Sequence, residues 1–277
     1  MRDFVPAACL ALAIASAATA SRADEPVPRA DPPFRLLELG GRHVRWAIPA
    51  HGMPATIRYA FLTSARKFPG ARNCDAMLPP EAALKPSRIS LADFQREVRA
   101  AFSAWEQAAN ISFVETSSIA DAGILIGADA KARGRAFTNV ALRDAAADVP
   151  AKAMGVIRQS LICLNPQRPW KIGFDGNLDV YDVRFTVTHE IGHAIGLDHP
   201  SPDGQLMSFR YVEKGRGLQP GDAAGAAALY GSRGASPAPE PTTPTVAASS
   251  ARGVGAARSS TDRAFGLGEP GSTSASR

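Results

Sequence analysis

The chain has 277 residues, with 31 Lys+Arg against 26 Asp+Glu and three cysteines. Its charge of +5 is scattered, and no basic-aromatic stripe accompanies it, which argues against nucleic acid as a partner and for an ordinary solvated surface. After the first twenty residues no stretch is long and apolar enough to cross a bilayer, so no stable membrane insertion is expected.

Arg2 precedes an apolar run over 5–18, then Ala18-Thr19-Ala20 and the polar Ser21-Arg22-Ala23-Asp24. This is the layout of a secretory signal peptide, residues 1–20, cut near Ala20, with an uncleaved anchor as the alternative. The mature chain is then expected outside the cytoplasm, extracellular or periplasmic. Cys9 leaves with the signal, so Cys74 and Cys163 remain the only thiols of an exported chain. An oxidising compartment favours joining them, and a loop of about 90 residues closed this way contributes roughly 4 kcal/mol in the chain-entropy model. Two separate buried thiols are the alternative.

Residues 21–40, rich in Pro, Ala and charge, read as a flexible leader. A strand is expected over 55–63, where Ile57, Tyr59 and Phe61 alternate with Thr56, Arg58 and Ala60, and a long surface loop over 64–87. Ser90 and Asp93 form a capping pair ahead of Phe94, Val98, Phe102 and Trp105 at helical spacing. Further strands are expected over 111–115, 123–128, 135–141 and 155–164. In the loop that follows, Asp175, Asn177 and Asp179 alternate and could be oxygen ligands for calcium; turn formation, with Asp182 opening the next helix, accounts for the same spacing.

Residues 189–199 read His-Glu-Ile-Gly-His-Ala-Ile-Gly-Leu-Asp-His. Four residues apart on a helix means one face, so His189 and His193 can offer two imidazoles to one metal ion. Gly196 can take the left-handed conformation that turns the chain back and brings His199 up as third ligand. Glu190 then stands beside the open fourth position as a candidate general base. Val187, Ile191, Ala194 and Ile195 supply an apolar backing face.

Met207, in Gln205-Leu206-Met207-Ser208-Phe209-Arg210-Tyr211, follows at the place of a methionine turn. The whole pattern resembles the metzincin metallopeptidases. Within them it is most similar to the matrixins, through Tyr211 four residues after the methionine and the endings Leu218-Gln219-Pro220-Gly221-Asp222 and Ala228-Leu229-Tyr230-Gly231. Ser208-Phe209 departs from the Tyr-Pro usual there. The resemblance implies an α+β catalytic domain over 41–231: a mixed twisted sheet, a long packing helix, a zinc-binding helix, the methionine turn and a C-terminal helix from about 222 to 230. It further implies a secreted zinc metalloendopeptidase with one catalytic zinc on His189, His193 and His199, and Glu190 as base. A polypeptide substrate would lie along an edge strand near 135–141, with Tyr211 on the wall of the pocket for the residue after the cleaved bond. A monomer is expected. With only His43 and His51 remaining, no second, structural zinc is expected, and a leader without cysteine excludes a cysteine switch, although Asp24 or Asp31 could reach the metal. Residues 232–277, rich in Ser, Ala, Pro, Gly and Thr, are expected to be disordered. A zinc-containing domain that binds a peptide or an envelope component without cleaving it is the competing function; Glu190 favours the enzyme.

Overall fold

The computed structural model describes residues 33–49, 52–131, 134–144, 153–200 and 203–234. All of them belong to the first of two contact units, 1–237 and 238–277. The expected signal peptide, Asp24, Asp31, His51 and nearly all of the low-complexity tail lie outside the described residues.

In chain order the elements are β1 (Arg35–Leu36), β2 (Glu38–Leu39), β3 (Arg42–Arg45), β4 (Ala55–Phe61), β5 (Arg66–Lys67), β6 (Ala76–Leu78), α1 (Glu81–Leu84), α2 (Leu91–Ala108), β7 (Ile111–Glu115), β8 (Ile124–Asp129), β9 (Ala136–Leu142) and β10 (Gly155–Leu164). There follow β11 (Trp170–Lys171), β12 (Tyr181–Asp182), α3 (Val183–Ala194), β13 (Leu197–Asp198) and α4 (Pro220–Tyr230). The fold is α+β. In the main sheet β7, β4, β8 and β10 run parallel in that spatial order, and β9 closes the far side of β10 antiparallel. Opposite β9, β10 also pairs its first residues with β3. Among the described residues β9 is therefore an edge strand, with its outer rim unpaired.

Period-two alternation separates two apolar layers. Ile57, Tyr59, Ile124, Ile126, Ile157 and Ile162 face the helices, where α2 supplies Phe94, Val98, Phe102 and Trp105 and α3 supplies Val187 and Ile191. The other face carries Ala60, Leu125, Leu161, Met77 and the two cysteines. Cys74 and Cys163 are joined, with Cα atoms 5.9 Å apart across 89 residues of sequence. Ser90 caps α2 by accepting from the Asp93 amide at 3.0 Å, and its hydroxyl donates to the Asp93 carboxylate at 2.7 Å.

Two expectations are corrected. The leader read as flexible through Gly40 is already part of the fold from about residue 35: β1 pairs with β13 and β2 with β3. Residues 64–87 are not an open loop, since β5 and β6 pair there, β6 joins β8, and Met77, Ala83 and Leu84 are buried. Strands of two or three residues between prolines carry too few positions to show a period. No helix among the described residues is long and apolar enough to cross a membrane.

Candidate active site

Helix α3 lies inside the molecule rather than on it, with ten of its twelve residues buried. Its start is anchored by charge. Asp182 is fully buried; one carboxylate oxygen accepts from the Phe185 amide at 2.8 Å, the other from Gly173 at 2.7 Å, and the Arg216 guanidinium binds both. Arg216 and Arg184 converge in turn on the buried Glu97. At the other end the Ala194 carbonyl accepts from the Trp46 indole and the Ser160 hydroxyl. The chain then reverses at Gly196, whose φ is +107° and whose Cβ, if it had one, would lie 2.1 Å from the Val44 carbonyl oxygen. Glycine is the residue that meets both demands.

This reversal brings His199 over the helix. His199 Nε2 lies 3.1 Å from His189 Nε2 and 3.2 Å from His193 Nε2. The Nδ1 atoms of His189 and His193 donate to the Leu206 and Leu197 carbonyls at 2.9 and 2.8 Å, which fixes the proton there and leaves Nε2 with its lone pair. Burial, reinforced by the neighbouring imidazole of His193, holds His189 well below the usual histidine range; burial also lowers His193 and His199. Neutral nitrogens whose lone pairs face one another repel unless a cation lies between them. A tetrahedral zinc with bonds of about 2.05 Å needs nitrogens about 3.3 Å apart, so the donor set fits that ion. Among the described residues it is the group of three or more such side chains whose ligand atoms come within 4.8 Å of one another.

Glu190 is buried next to the triad, and burial raises its carboxyl above the usual range, against the opposing effects of Thr138 and the positive charge of Arg135. The Thr138 hydroxyl lies 2.7 Å from Glu190 Oε2 and 2.9 Å from the Glu190 carbonyl oxygen. Met207 is packed beneath the site, and a Cβ on Gly192 would stand 2.2 Å from its sulfur. Its turn is held by Asp222, whose carboxylate accepts from the amides of Leu206 and Met207 at 2.8 and 3.0 Å. Tyr211 sets its ring edge-to-face on Phe185, accepts from the Asp182 amide and donates to Glu213. A cleft of about 1330 Å³ runs along β9 and takes in all three histidines, Glu190 and Tyr211.

The loop carrying Asp175, Asn177 and Asp179 folds differently from a cation cradle. Asp175 accepts from the Asn177 amide and pairs with Lys171, while Asn177 accepts from the Asp179 amide. These oxygens close turns, so calcium has no support there. His43 lies exposed in β3. Thr138, Arg135, Asp222 and the Glu97–Arg216 network were not singled out as functional residues from the sequence: Arg135 meets the rings of Tyr181 and Tyr211, and the others meet α3 or the methionine turn, from segments that no local spacing connects.

The family model of the matrixins matches residues 82–231, more than half of the 277 residues. The chain belongs to the matrixins. Among relatives of this matrixin are the "Probable matrix metalloproteinase 095L" of Invertebrate iridescent virus 3 and the "Metalloendoproteinase 1-MMP" of Arabidopsis thaliana. The first is 38% identical over 79 residues, 27% of this chain and 21% of the relative; the second is 31% identical over 144 residues, 50% and 38% respectively. The matched stretches thus span well under half of either relative's length.

Proposed function

We propose that this matrixin is a secreted zinc-dependent endopeptidase. The observation that carries the reading is the convergence of three imidazole Nε2 atoms, two of them freed of their proton by Nδ1 bonds to carbonyls, beside a buried carboxylate in a cleft that follows a sheet edge. His189, His193 and His199 would hold the ion, and zinc held there would supply the Lewis acidity that activates water and polarises a peptide carbonyl. Glu190 accepts the proton from the attacking water and returns it to the leaving amine, a task suited to a carboxyl that burial raises above its usual range. Thr138 steadies that carboxylate through its hydroxyl. The unpaired rim of β9 suits an extended polypeptide, whose backbone would continue the sheet. Export agrees with the Cys74–Cys163 bridge, since such bonds persist in oxidising compartments.

Replacing Glu190 with Ala tests the reading. Bound zinc should stay near one per chain by metal analysis, while cleavage of an unstructured polypeptide falls about 10²-fold or more. Wild-type turnover in that variant would remove Glu190 from its role, and a metal-free, chelator-resistant active protein would overturn the mechanism.

A further inference from the structure

Arg135, immediately before β9, is a partly buried cation that feels the charge of Glu190 but makes no ion pair among the described residues. Its Nε is shut off from solvent yet has no hydrogen-bond partner among them. The guanidinium carbon stands 5.3 Å from the ring centre of Tyr181 and 5.6 Å from that of Tyr211, so two aromatic faces hold it in place without satisfying its donors. It lines the same cleft as the histidine triad. Leaving a guanidinium donor dry and unpaired is costly, and the group that relieves it best is a planar carboxylate, which the guanidinium fork matches in two parallel bonds.

The acidic groups of the cleft do not fill this role. The Glu190 carboxylate accepts from Thr138, and Asp198 is paired with Arg35 and accepts from the His199 amide. Arg72, Arg158, Arg168 and Arg210 also line the cleft, against Glu38 and those two acids. Its long-range field therefore draws negative charge inward.

We propose that Arg135 is a specificity-determining residue, receiving a carboxylate of the bound polypeptide on the side of the cleft walled by Tyr181 and Tyr211. This rests on the reading of the cleft as a polypeptide site. Two sources offer the same chemistry: an Asp or Glu side chain near the cleaved bond, and the terminal carboxylate of a short substrate. The first would make the protein an endopeptidase selective for acidic segments, and the second would bias it toward bonds near chain ends.

The test uses the full chain loaded with zinc and one peptide sequence varied in two ways. In one arm a single Glu, or Gln as control, is stepped through the positions around the scissile bond; in the other the peptide ends as free acid or as amide. A carboxylate engaged by Arg135 should favour its peptide about tenfold or more in kcat/KM in one of the arms, and the responding arm names the source. In Arg135→Gln that ratio should collapse toward one, and in Arg135→Lys part of it should survive. Dissociation constants for the same peptides on the Glu190→Ala protein should show the same preference. A ratio near one in both arms, or one that persists in Arg135→Gln, overturns the proposal. Failure of the wild type to cleave any of these peptides would sink the peptidase reading instead, and the binding ratios would still decide the role of Arg135.

Discussion

Thr138 and Glu190 show how one hydroxyl can govern a site. A buried carboxylate is free to turn unless something fixes it, and here the fixing group is an oxygen 2.7 Å away on the edge strand. Thr138→Val removes the donor and keeps the volume, so kcat should fall about tenfold, the usual worth of a hydrogen bond to a charged group. Zinc content and KM should stay near wild type, because neither the imidazoles nor the β9 rim is altered; steady-state kinetics with metal analysis checks this, and an unchanged kcat would show that packing alone holds Glu190. This residue also marks the limit of what the sequence discloses. His189, Glu190, His193 and His199 are legible because helical period and one glycine reversal are local rules acting over eleven residues. Thr138 meets Glu190 across 52 residues, and no rule of spacing announces a contact made by a sheet edge passing over a helix.

At the scale of elements, α3 is positioned by buried charge as much as by apolar packing. Asp182 as the opening residue was readable, since a carboxylate before an apolar run is a common helix cap. Its bond to Arg216, and the sharing of Arg216 with Glu97, were not, because those partners lie 34 and 119 residues apart in sequence. Asp182→Ala removes the cap and leaves the half-buried Arg216 guanidinium with Glu97 as its remaining carboxylate, so the domain should lose about 2 kcal/mol or more. Asp182→Asn keeps an acceptor for the Phe185 amide and should lose less. Urea unfolding of both variants measures the difference; equal losses would assign the effect to charge alone. The short strands before and after β4 escaped detection for the opposite reason: β1, β2 and β5 have two residues each, and such strands exist through their partners rather than through their own pattern.

Over the whole molecule the disulfide is the longest covalent constraint. It ties the central strand β10 to the segment just ahead of β6 across 89 residues, on the sheet face away from the helices. In the chain-entropy model such a closure contributes about 4–5 kcal/mol, so reduction should lower Tm by roughly 10–15 °C for a domain of this size. Calorimetry with and without a reductant reads the shift, and an unchanged Tm would mean that the reduced chain keeps those segments together unaided.

The turn that carries His199 is strung between the helix and the front of the chain. Leu36 and Arg35 pair with Leu197 and Asp198, the Leu37 amide donates to the Gly196 carbonyl at 2.8 Å, and Arg35 holds the Asp198 carboxylate at 3.2 Å. Any proteolytic trimming ahead of the domain would therefore have a downstream stop. A cut ahead of Phe34 would leave that backing strand whole, whereas a cut a few residues later would strip the support from behind the third imidazole and make trimming indistinguishable from inactivation.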